Sequence, residues 1–80
     1  MIKYEIRIIT EDGSCLDCIL GSLKKNKKDD IRNAMKIIDN FGKNCEIMVS
    51  ETLAKAWAIY SYTPGDSSAK YIGYQDKILL

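Results

Sequence analysis

Apolar and polar residues alternate from the second position onward. Ile2, Tyr4, Ile6 and Ile8 fall on one side of an extended chain, and Lys3, Glu5 and Arg7 fall on the other. This two-residue period marks a strand with one face in a core. Glu11-Asp12-Gly13 follows and suits a three-residue hairpin loop in which Gly13 takes the left-handed conformation. With Thr10 facing Ser14, counting outward pairs Ile8 with Leu16, Ile6 with Cys18 and Tyr4 with Leu20 on the inner face. Arg7 then meets Asp17 on the outer face. A two-residue Asp-Gly loop would instead set Asp17 against Ile8 on the core face, where an unpaired carboxylate is costly. The three-residue loop is the expectation, and it leaves Ile9 and Ile19 on the outer face.

Gly21-Ser22-Leu23 and Lys24-Lys25-Asn26-Lys27-Lys28 make a polar connector to the one clear helix. Ile31, Ala34, Met35, Ile37, Ile38 and Phe41 recur at helical spacing, with Arg32, Asn33, Lys36, Asp39 and Asn40 on the other side. Asn26 or Asp29 is placed to cap the start, Asp29 and Asp30 oppose the positive end of the helix dipole, and Gly42 closes the last turn. Three further strands are expected. Cys45, Ile47 and Val49 alternate with Glu46, Met48 and Ser50, and then come segments 56–63 and 69–74, separated by Pro64-Gly65-Asp66 in the manner of a type II turn. The predicted fold is therefore α+β: a single domain over 1–80, in ββαβββ order, with one amphipathic helix packed on one face of an antiparallel sheet. The Ala, Leu, Glu and Lys content after Ser50 allows one variation, a second helix at about 51–60.

In the strand 56–62, Ala56, Ala58, Tyr60 and Tyr62 alternate with Trp57, Ile59 and Ser61. Small alanines would admit the helix closely. Trp57 and Ile59 would then join Ile9 and Ile19 on the far face, open unless Lys77-Ile78-Leu79-Leu80 folds across it.

Composition narrows the functional classes. A chain of 80 residues with 46% hydrophobic and 29% charged residues is an ordinary globular domain, and its net charge of +1 suits neither a polyanion mimic nor a strongly basic nucleic-acid binder. Three cysteines, an odd number, point to free thiols in a reducing compartment. The chain runs directly into a charged strand and has no apolar stretch of spanning length, so a cytoplasmic location without a membrane is expected.

The one chemical motif is Cys15-Leu16-Asp17-Cys18, a spacing that serves redox dithiols and half zinc sites. The counted register puts its thiols on opposite faces. There is no histidine, and Cys45 is the only other cysteine, so no metal or cofactor is expected. A capping box formed by Ser14 and Asp17 would instead start a short helix at 15–23 and activate Cys15. With no histidine as general base, no activated nucleophile and no phosphate-cradling glycine spacing, no catalytic residues are expected.

What remains is a small non-catalytic protein-binding module. Inhibitors and adaptors of larger complexes, including those encoded by phages and mobile elements, have this size. Its expected contacts are Trp57, Ile59, Tyr60 and Tyr62, with the Pro64–Ser68 turn as an adaptable edge, and its partner is a second copy or another protein. The other reading is nucleic-acid binding. Lys24, Lys25, Lys27 and Lys28 would meet phosphates, and Trp57, Tyr60, Tyr62, Tyr71 and Tyr74 would stack on bases. The element order also resembles the ubiquitin-like β-grasp. That family's modifiers and sulfur carriers end in Gly-Gly, whereas this chain ends Ile78-Leu79-Leu80, so the resemblance implies an arrangement and not that activity.

Overall fold

The computed structural model describes residues 2–22, 26–51 and 54–77. The elements run β1 (Ile2–Thr10), β2 (Cys15–Ser22), α1 (Lys27–Phe41), β3 (Cys45–Glu51), β4 (Ala56–Tyr62) and β5 (Lys70–Asp76). The strands form one sheet in the order β2-β1-β3-β4-β5, with every neighbouring pair antiparallel. This is the expected ββαβββ domain. The second helix at about 51–60 is not present, because residues 56–60 belong to β4. There they are hydrogen-bonded to β3 on one side and β5 on the other, a pairing that overrides weak local helix propensity.

The helix begins at Asn26, whose side chain accepts from the Lys28 N–H at 2.9 Å, and ends at Gly42, whose N–H donates to the Ile38 carbonyl at 2.9 Å. Asp30, Ala34 and Ile38 are its buried positions, and it packs on β1, β2 and β3. Ala56 and Ala58, expected to admit the helix, sit on a strand outside that main contact. Tyr4, Ile6, Ile8, Ile38, Ile47, Val49 and Tyr62 make the centre of the core.

The hairpin loop has the expected length but not the expected register. The Thr10 N–H donates to the Ser14 carbonyl at 2.9 Å, and Gly13 holds φ at 88°, the left-handed residue a three-residue loop requires. Hydrogen bonds from the Thr10 hydroxyl and from Ser14 lower the Asp12 carboxyl to about 2. Ile9 then faces Cys15 but Ile8 faces Asp17, so Leu16 is an extra residue in β2, a β-bulge. Beyond it Arg7 faces Cys18, Ile6 faces Ile19, Glu5 faces Leu20 and Tyr4 faces Gly21.

This corrects the pairs Ile8–Leu16, Ile6–Cys18, Tyr4–Leu20 and Arg7–Asp17. It also moves Ile19 to the inner face and both Cys18 and Leu20 to the outer one. Packing supplies the reason. The bulge brings Leu16 and Ile19, three residues apart, onto the same core. It also sets Gly21 under the Tyr4 ring, so closely that a Cβ at 21 would fall 1.8 Å from Tyr4 Cζ. Asp17 opposite Ile8 escapes burial because β2 is an edge strand. It is exposed, and its Oδ1 accepts from the Cys18 N–H at 2.8 Å.

Candidate functional site

The two sheet faces offer different chemistry. On the outer face β1 presents Glu5, Arg7 and Ile9, β2 presents Cys15, Cys18 and Leu20, β3 presents Glu46 and Met48, and β4 presents Ile59, flanked by Trp57. Among the described residues no helix or strand packs over this side. Ile9, Met48, Trp57 and Ile59 are only half-buried, and Leu20 is 51% exposed.

Arg7 organises the centre of this face. Its guanidinium lies 4.7 Å from the Trp57 ring centroid, and Lys77 Nζ stands 5.6 Å from the same ring, so two cations share one indole. Arg7 Nε donates to Glu5 Oε2 at 2.5 Å, and this bond raises the Arg7 pKa further above its ordinary value. The same carboxylate oxygen accepts from Cys18 Sγ at 3.4 Å. Burial first, and then Glu5, pushes the Cys18 thiol up.

The shared outer face of Cys15 and Cys18 overturns the separation read from the unbulged register. Both thiols are exposed, and all three cysteines are free. Cys45 lies apart on the inner face, where burial and then nearby Glu11 raise its thiol. Among the described residues no three Cys, Asp or Glu side chains converge as a metal cluster, and no helix is long and apolar enough to cross a membrane.

The four residues expected to contact a protein are split by the sheet. Trp57 and Ile59 are on the open face, whereas Tyr60 and Tyr62 point to the helix side. Tyr62 is only 3% exposed. Its hydroxyl donates to Asp39 Oδ1 at 2.9 Å and lies 3.0 Å from the Asp66 carbonyl, so it pins the β4–β5 turn to α1. The same Asp39 oxygen accepts from the Gly65 N–H at 3.0 Å. Burial, and then Asp39, raises the Tyr62 phenol. Such a tyrosine belongs to the core.

The nucleic-acid set divides as well. Lys24 and Lys25 lie outside the described residues. Lys27 pairs with Glu51 at 3.0 Å. Lys28 lines an open cleft of about 440 Å³ between α1 and β4, with Arg32, Ile31, Met35, Tyr60 and Ser67. Tyr60 meets Tyr71 edge to face, with centroids 5.5 Å apart. Tyr71 and Tyr74 on β5 are 59% and 69% exposed.

Sequence reasoning missed Arg7 as the hub of the outer face, Arg32 as the companion of Lys28, and the shared face of the two cysteines. Arg32 was within reach, since it follows Lys28 by one helical turn. No family model, curated protein or solved structure matches the chain.

Proposed function

We propose that this chain is a small non-catalytic binding protein that docks another protein on its open sheet face, with Trp57 and Ile59 at the centre of the contact. The supporting observation is the asymmetry of the sheet: the helix packs on one side only, and the other side keeps Ile9, Met48, Trp57 and Ile59 at a surface. Isolated apolar residues on a surface are ordinary, but a contiguous patch spanning three strands marks an interaction surface. Arg7 and Lys77 over Trp57 favour a partner that brings a carboxylate to an apolar patch. The three free thiols fit a reducing compartment.

A second reading has its own observation, the cleft in which Lys28 and Arg32 stand beside Tyr60. Cations next to an aromatic ring suit a single-stranded nucleic acid.

One experiment separates the two. The tagged chain, Ile59→Glu and the double variant Lys28→Glu/Arg32→Glu are used for affinity capture from nuclease-treated and untreated lysate. A protein partner that survives nuclease and is lost only with Ile59→Glu supports docking on the open face. Capture that needs nucleic acid and is lost with the double variant supports the cleft and overturns the first reading.

A further inference from the structure

Ala56 and Ala58 are small enough to admit a helix closely, yet α1 packs on β1, β2 and β3 and lies to one side of them. The inner side of β4 and β5 is thus a shelf beside the helix. Tyr60 and Tyr71 meet across it edge to face, Tyr74 stands opposite Ala58, and Tyr71 and Tyr74 are more exposed than covered. Where this floor meets α1, the cleft of about 440 Å³ has half-buried Ile31 and Met35 on its wall and exposed Lys28 and Arg32 beside them.

The dimensions select the occupant. From β3 to β5 is two strand spacings, about 10 Å, and a helix with its side chains is about 10–12 Å across. Neighbouring helices pack with their axes about 8–10 Å apart. On this side of the sheet α1 therefore leaves the width of one more helix. The alanines let its axis come close, and the tyrosines supply aromatic area of the kind enriched in protein interfaces. Lys28 to Met35 is about 10 Å of wall, so about three turns lie alongside it.

Charge sets the sides of that helix. Lys28 and Arg32 are one helical turn apart and both line the cleft, and Arg32 holds Asp29 only at 3.6 Å between exposed side chains. Both cations are available to acidic groups. Asp76, opposite Ala56, puts a carboxylate on the edge strand of the floor, where it would repel the phosphates of a nucleic-acid strand. We infer that the β4–β5 shelf is the seat of an amphipathic helix of a protein partner, with its apolar stripe on Ala58, Tyr60 and Tyr74 and acidic residues on the flank toward α1. This seat lies on the opposite side of the sheet from Trp57 and Ile59 and does not rest on docking there.

The test pans the purified full-length chain against a display library of helix-forming peptides of about 18 residues, long enough to hold a helix in isolation. The expected binders repeat apolar residues at helical spacing, carry Asp or Glu on one flank, and form one-to-one complexes. Against Tyr74→Glu, a surface change whose fold is checked by circular dichroism, their affinity should fall by about tenfold or more. Against Lys28→Glu/Arg32→Glu it should fall similarly, and return when the acidic flank of the peptide is changed to lysine. Recovery of no helical binder, binders indifferent to these variants, or binders lost with Ile59→Glu but kept by Tyr74→Glu would overturn the seat. So would a chain that dimerises in sedimentation through Tyr74, which gives the shelf to a second copy, or binding seen only after residues 78–80 are removed, which gives it to the chain's own end. Selected peptides displaced by oligothymidylate would give the cleft to nucleic acid and overturn the seat as well.

Discussion

The two faces of the sheet use similar residue types to opposite ends. On the inner face Ile6, Ile8 and Ile47 are fully buried beneath α1, and even the polar groups there are satisfied, Tyr4 by Asp30 and Tyr62 by Asp39. On the outer face Ile9 and Met48 come from the same two strands, one residue out of phase, and with Ile59 of β4 they stay only partly buried around a cation–indole stack. Successive side chains point to opposite faces, so the apolar runs Ile8-Ile9 and Ile47-Met48 put apolar residues on both faces at once, and a single helix covers only one of them. The buried core therefore lies on one face, while the other keeps its apolar residues at a surface.

The largest expected effect tests that division directly. Ile47→Ala removes a fully buried side chain and should cost about 2–5 kcal/mol in urea unfolding. Ile59→Ala, the same chemical change on the neighbouring strand and the opposite face, should cost about 1 kcal/mol or less. Equal losses would mean that the outer face is as well packed as the inner one, and the open-face reading would fall with that result.

The next effect concerns the hairpin register, where the sequence misled. Helix periodicity, both caps, the strand order along the chain and the three-residue loop were legible, because each follows from local spacing and turn chemistry. The bulge was not, because counting outward from a turn assumes equal residues on both strands. The cue lay in Gly21: an aromatic residue such as Tyr4 packs over a glycine more readily than over Leu20, and this pairing requires one extra residue in β2. The same miscount hid the shared face of Cys15 and Cys18, which exists only past Leu16. Gly21→Ala would push a methyl group into the Tyr4 ring, which Asp30 holds in place. A cost of about 1–3 kcal/mol is expected, with loss of the Tyr4–Asp30 hydrogen bond. A neutral Gly21→Ala would indicate that Tyr4 does not lie over residue 21 and would restore the unbulged register.

Tyr4→Phe is the smallest change and reports on the inner face by pH. The Tyr4 hydroxyl donates to Asp30 Oδ2 at 2.5 Å, and burial, helped by Asp30, pushes its pKa up to about 12. The folded protein thus holds this proton more tightly than the unfolded chain, whose tyrosines ionise near pH 10. The stabilisation is fully present below about pH 10 and is lost as the pH rises toward 12. At neutral pH the variant leaves Asp30, 6% exposed, without its phenol partner and should lose about 1–3 kcal/mol. Between about pH 10 and 12 the gap to the wild type should narrow, because only the wild type still has this phenol to ionise. All other groups are common to the two proteins and cancel in the difference. Urea unfolding of the pair at neutral pH and at about pH 11 measures the gap. A gap unchanged by pH would show that Tyr4 ionises as freely in the fold as outside it, which a phenol sealed between α1 and the sheet would not do.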